Sequence, residues 1–302
     1  MPFDLQQRLS EFSYGYGITR EVQACLENVG LRPVPFLPSL LHEAQVGCDV
    51  YFERPGTALL LQFKLGQELK RYRRSNLSMP APVLHRPFWR FGVDTAEEDG
   101  QYDLLLKAER GGSEVYYVAP RFSDWDGYAT AFQNNEVLNS SLLMKPSEID
   151  KKLQMHGEPD GSHKVVYDRS NVYVCSETQR VEETYVEDIA HRVRAEILES
   201  EESIAAKLKR VLESLDQRRA IRRPPVEETS TDATSEIVSD EEKIVRVPWV
   251  EIGRSPLQMA RVRAERLENL RKTAESEDDA IFAAVGVETW AAGGQLFAVT
   301  TS

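Results

Sequence analysis

Asp49, Gln62 and Lys64 are the residues of this chain whose types and spacing could do chemistry together. Val46 to Glu53 alternates, with Val46, Cys48, Val50 and Phe52 on one side and Gly47, Asp49, Tyr51 and Glu53 on the other. That is the period of a strand. Ala58 to Leu65 reads as a second strand, with Leu59, Leu61, Phe63 and Leu65 towards a core. Between them, Arg54-Pro55-Gly56-Thr57 has proline and glycine at the central positions of a tight turn. A turn centred on Pro55-Gly56 pairs Arg54 with Thr57, which sets Asp49 opposite Gln62 and Gly47 opposite Lys64. Opposite residues share a face with Cβ atoms roughly 4.5–5.5 Å apart, and residues two apart on a strand share it as well. A carboxylate, an amide oxygen and an ammonium are thus expected on one face of one hairpin.

Such a set suits hydrolysis of a phosphodiester. A carboxylate oxygen from Asp49 holds Mg²⁺ or Mn²⁺, and an oxygen from the neighbouring strand adds to the protein side of the site. Lys64 would orient the attacking water or help deprotonate it, and would stabilise the charge that builds on the phosphate. Downstream, Lys64, Lys70, Arg71, Arg73, Arg74, Arg86 and Arg90 form a basic run interrupted only by Glu68. From Lys70 onward these cations are candidates to hold backbone phosphates on either side of a scissile bond.

Other chemistries find less support. The five histidines, His42, His85, His156, His163 and His191, stand at no metal-ligand spacing, although His85 lies within the basic run and could touch phosphate. Cys25, Cys48 and Cys175 form neither a Cys-x-x-Cys nor an even disulfide set. There is no Gly-x-x-x-x-Gly-Lys-Ser/Thr loop, and Ser140 and Ser141 have no evident base.

The elements that must position the hairpin can be read around it. A short helix is expected from Ile18 to Asn28, capped by Thr19 and ended by Gly30, followed by a proline-punctuated connection over Leu31 to Leu41. Phe88 to Val93 reads as a third strand, Ala96 to Glu109 as a helix and Glu114 to Ala119 as a fourth strand. A small hairpin is expected over Val165–Tyr167 and Val172–Cys175. Apolar residues at threes and fours from Val186 to Leu215 predict a long helix, with one seven-residue gap between Ile197 and Ile204. Arg222 to Glu242 is acidic, proline-bearing and polar, as a linker is, and Pro256 to Ser276 reads as a charged helix.

In this order, Gly47-Cys48-Asp49-Val50 followed by Leu61-Gln62-Phe63-Lys64 resembles the PD-(D/E)xK nuclease superfamily. The resemblance covers roughly Thr19 to Pro120 and implies an α/β fold, the restriction-endonuclease-like αβββαβ core with a mixed sheet. It puts Asp49 on the family's metal-binding aspartate, and Gln62 and Lys64 on its (D/E)xK pair in the Gln-x-Lys form of the Mrr-like branch. It makes the Phe63 carbonyl a further metal ligand and asks for a glutamate from the first helix, for which Glu21 fits and Glu43 is a rival. Cys48 stands where proline is common. Gln62 in place of an acid removes one negative charge, which weakens Mg²⁺ unless Glu21 or Glu43 compensates. The implied function is metal-dependent cleavage of DNA, in restriction, repair or defence against foreign DNA. The alternative is a catalytically inactive scaffold on the same frame.

The expected organisation is a nuclease-like domain over 1–180, a charged amphipathic helix over 181–221, an acidic linker over 222–242 and a helical C-terminal region over 243–302. The 302 residues carry a net charge of −12, which argues against a nonspecific nucleic-acid coat but leaves room for a local basic groove. DNA is the expected partner, with RNA open, and the 186–215 helix offers a seam for a homodimer. No apolar run approaches the ~18 residues of a membrane span, and no leader segment is visible, so a soluble cytoplasmic protein is expected.

Overall fold

The computed structural model describes residues 9–36, 54–72, 81–97, 99–174, 179–217, 256–274 and 276–301. In chain order the elements are α1 (Glu11–Asn28), β1 (Leu31–Pro35), β2 (Gly56–Phe63), β3 (Gln67–Leu69), β4 (Phe88–Asp94), α2 (Gln101–Arg110), β5 (Glu114–Pro120), α3 (Trp125–Asn134) and β6 (Ser141–Met144). They continue with α4 (Pro146–Met155), β7 (Ser162–Tyr167), β8 (Val172–Val174), β9 (Gln179–Val181), α5 (Val186–Ser200), α6 (Ile204–Leu215), α7 (Pro256–Thr273), α8 (Glu277–Ala291) and β10 (Gly294–Thr301). The fold is α/β. A mixed sheet runs β1-β10-β2-β5-β6, and a second, antiparallel sheet runs β3-β4-β7-β8-β9.

β2 is the centre of the first sheet and is buried along its whole length. Its alternate side chains feed two cores. Leu59, Leu61 and Phe63 pack with Tyr14, Ile18 and Val22 of α1 and Ile189, Val193 and Ile197 of α5. Ala58 and Leu60 pack with Leu105 of α2, Leu208 of α6, Val285 of α8 and Trp89, Phe91 and Tyr167 of the second sheet. A strand covered on both faces needs no polar side, which is why Ala58–Leu61 is an unbroken apolar run.

The neighbours of β2 differ from the sequence expectation. Along one edge it pairs antiparallel with β10, Gln62 opposite Gly294 and Ala58 opposite Ala298. Along the other it pairs parallel with β5, Leu59 opposite Glu114 and Gln62 opposite Tyr117. Both edges over 59–62 are therefore filled, and the Asp49–Gln62 pairing of the expected hairpin is not made there. The strand expected over Val46–Glu53 lies outside the described residues. Arg54–Thr57 is no hairpin turn: Pro55 bridges Ser203, and the Ile204 N–H donates to the Arg54 carbonyl at 3.1 Å. Gly56 starts β2 because a Cβ there would stand 2.7 Å from the Val299 carbonyl oxygen.

Other boundaries move for identifiable reasons. α1 begins two turns earlier than expected, because the Ser10 side chain, not Thr19, accepts from the Ser13 N–H. Leu31–Pro35, expected as connection, is the edge strand β1, where proline costs little. Phe88–Asp94, expected in the nuclease-like core sheet, belongs to the second sheet between β3 and β7. The single helix expected over 186–215 is two, broken by Glu201 at φ 46° and restarted by Ser203, whose side chain caps Ala206 N. The break falls in the seven-residue gap of the apolar pattern. The apolar seam expected to pair two copies is buried inside the chain, on opposite faces of the first sheet. The C-terminal region is not wholly helical either, since β10 is an interior strand of the first sheet.

Candidate functional site at the carboxyl end of β2

Lys64 follows the last residue of β2, and its backbone N–H donates to the Val118 carbonyl of β5 at 2.9 Å. This places it at the carboxyl end of the parallel β2–β5 pair, the end at which open α/β sheets form their sites. Lys64 is partly buried, with its Nζ 6.0 Å from the centroid of the Tyr117 ring. Burial pulls the ammonium below the usual lysine range, and the negative charge of Glu11 pulls it back up. Glu11 opens α1 and shows the mirrored effect. Surrounding protein pushes its carboxyl above the usual range, although the residue keeps an exposed surface, and Lys64 opposes the shift. Gly15, one turn on, is where α1 passes close to Phe63: a Cβ there would stand 2.7 Å from the ring.

Gln62 is buried. Its Nε2 donates to the Gly293 carbonyl at 2.9 Å and to the Phe63 carbonyl at 3.2 Å. Two carbonyl acceptors fix which end of the amide is nitrogen, and Oε1 is left buried with no hydrogen-bond partner among the described residues. Gln101 of α2 donates to the adjacent Ala292 carbonyl. Two glutamines thus hold the turn joining α8 to β10, where Gly293 sits at φ +80°. Tyr117, across from Gln62 on β5, also buries a hydroxyl that has no hydrogen-bond partner among the described residues.

The other sequence candidates separate. Glu21 fixes the chain after α3, where its carboxylate accepts the N–H groups of Val137 at 3.1 Å and Leu138 at 2.8 Å. Asp49 and the rival Glu43 lie outside the described residues, as do Arg73 and Arg74. Lys70, Arg71 and Arg86 lie beside the β3–β4 ladder, whereas Arg90 donates to Gln67 Oε1 at 2.6 Å. Sequence reading missed Glu11, whose signal was the Ser10 cap with an acid directly after it, as first helical turns favour.

Among the described residues, no three of His, Cys, Asp and Glu stand together in a group that could hold a metal ion. Gln62 Oε1, the Phe63 carbonyl and the Glu11 carboxylate are oxygens, hard donors of the kind Mg²⁺ takes. No protein-family model, curated protein or solved structure matches this chain. Among the described residues, no helix is long and apolar enough to cross a membrane.

Proposed function

We propose that the chain is a metal-dependent nuclease that hydrolyses DNA phosphodiester bonds on a restriction-endonuclease-like frame. The observation that carries this reading is the partly buried Lys64 just past the carboxyl end of β2, two residues after Gln62 and within the electrostatic influence of Glu11. The frame supports it as well, because β2 and β5 run parallel with α2 in their crossover and α1 on the opposite face.

Glu11 and Gln62, with the Phe63 carbonyl and the resemblance-implied Asp49, would hold Mg²⁺ or Mn²⁺. When bound, such an ion lowers the pKa of a water and neutralises charge on phosphoryl oxygens. Lys64 Nζ directs the water towards phosphorus. A lysine pulled below its usual range accepts a proton from that water more readily, and in its charged form it stabilises the phosphorane-like charge. Lys70, Arg71 and Arg86 contact flanking phosphates. Restriction, repair or defence against foreign DNA is the setting such an activity serves.

A second reading, a non-catalytic interaction protein on the same frame, draws on a different observation. The amide of Gln62 is engaged by the Gly293 turn, and β10 fills the edge of β2 where a catalytic carboxylate strand was expected.

Plasmid DNA and linear RNA incubated with wild type and Lys64→Ala, in Mg²⁺, Mn²⁺ or EDTA, separate the two. The nuclease reading expects metal-dependent DNA cleavage, with Lys64→Ala slower by about 10²–10⁴-fold. Cleavage of RNA alone would transfer the activity to RNA. No cleavage of either substrate with either metal favours the scaffold.

A further inference from the structure

We propose that His85, held by Asp168, is a phosphate-contacting residue in a cationic rim that takes the phosphodiester backbone of a nucleic-acid strand. This rests on the reading of the chain as a protein that acts on nucleic acid.

Three adjacent strands end together at this rim. Leu69, the last residue of β3, pairs with Phe88, the first of β4, and Trp89 of β4 pairs with Tyr167, the last of β7. Just beyond these ends lie Lys70 and Arg71, His85 and Arg86, and Arg169. The rim sits at the same end of the molecule as Lys64. Lys64 N–H bonds Val118, the Tyr167 hydroxyl donates to the Pro120 carbonyl at 2.8 Å, and Arg121 Nε donates to the Asp168 carbonyl at 3.0 Å.

Asp168 is 1% exposed, while the His85 side chain is 75% exposed. Asp168 Oδ2 accepts the His85 backbone N–H at 2.6 Å and lies 3.2 Å from His85 Nδ1. Its Oδ1 accepts the N–H groups of Ser170 at 2.7 Å and Asn171 at 2.8 Å. Burial works to raise this carboxyl, but the N–H groups of His85, Ser170 and Asn171 outweigh it and hold the group below the usual carboxylate range. An ionised carboxylate only accepts, so Nδ1 carries the proton and Nε2 is the outward nitrogen. In the imidazolium, Nε2–H donates to a phosphate oxygen while Asp168 balances the charge from behind. Among the described residues, Arg121 is matched by Glu183 at 2.6 Å, and Arg86 and Arg169 directly follow His85 and Asp168 in the chain. A pair serving stability alone gains little from an ordered acid whose partner ring stands in solvent.

The test is fluorescence anisotropy of a fluorescein-labelled single-stranded oligodeoxynucleotide with the full chain in EDTA, at about pH 5.5 and about pH 8.5. Wild type binds more tightly at the lower pH. There His85→Gln weakens binding by about 3–10-fold and lowers the salt slope by ~0.7, one phosphate contact on a single strand. At the higher pH the two proteins bind alike. A Lys70→Ala/Arg71→Ala variant is weaker at both pH values. If His85→Gln keeps the wild-type ratio between the two pH values while Lys70→Ala/Arg71→Ala loses affinity, this inference falls and the nucleic-acid reading stands. Absence of wild-type binding at both pH values overturns both. His85→Gln is the deciding variant because its side chain is in solvent and its melting temperature should equal that of wild type.

Discussion

The side-chain amide of Gln62 donates to the carbonyl oxygen of Gly293, 2.9 Å away across 231 residues of chain. It ties the end of β2 to the turn that feeds β10 into the sheet beside it. The same residue keeps Oε1 buried with no partner among the described residues, so one side chain joins the fold to the candidate site.

Gln62→Glu tests both duties. Loss of the donor, with a carboxylate set against the Gly293 and Phe63 carbonyls, should destabilise the metal-free protein by about 1–3 kcal/mol. If the site takes a divalent cation, Mg²⁺ or Mn²⁺ should raise the melting temperature of Gln62→Glu more than that of wild type. Thermal denaturation with and without metal measures this, and equal metal responses would argue against a cation at Gln62.

Lys64 and Glu11 should leave opposite marks on the pH dependence of stability. The folded-state pKa of Lys64 lies below its unfolded value. Between the two values the unfolded chain binds more protons, so stability rises with pH in that window, up to ~10.4. The folded-state pKa of Glu11 lies above its unfolded value. Its contribution is present below ~4.3 and is lost as pH rises through the folded value. Denaturant midpoints across pH should therefore lose the alkaline rise in Lys64→Met and the acid-side contribution in Glu11→Gln.

The break between α5 and α6 can be tested at Glu201. At φ 46° a Cβ is strained against its own backbone, so Glu201→Gly should stabilise by about 0.5–1 kcal/mol. In one continuous helix the same change would cost ~1 kcal/mol. Ser203→Ala should cost about 1 kcal/mol through loss of the α6 cap. Urea midpoints decide the sign.

β10 should be indispensable to the folded state. Phe297 is fully buried against β1 and β2 neighbours, and Phe297→Ala should cost about 3–5 kcal/mol. Removing residues 294–302 would open the facing edges of both β1 and β2. Such a chain should lose its cooperative unfolding transition by circular dichroism and aggregate through those edges.

Local signals carried much of the fold. Ala58–Leu65, Phe88–Val93 and Glu114–Ala119 are dense enough in apolar and β-branched residues to announce strands, and all three are strands within a residue or two at their ends. The gap between Ile197 and Ile204 is where the helix expected to be continuous breaks, because the Ser203 side chain accepts the Ala206 N–H and starts α6 anew. The sequence by itself also placed Gln62 and Lys64 two residues apart on one strand segment, because strand period and chain order are local properties, although β2 ends at Phe63, one residue before Lys64. Only the tertiary structure decided what stands beside that strand. Turn chemistry at Pro55-Gly56 favoured the nearest partner, but a strand buried on both faces can be paired by any chain that brings matching apolar residues. Leu296, Phe297, Ala298 and Val299 bring them from the far end of the sequence. For the same reason, only the folded chain could set Glu11 rather than Glu21 against Lys64. Glu21 faces the backbone N–H groups of Val137 and Leu138 instead, and those positions become neighbours only once the helices have packed on the sheet.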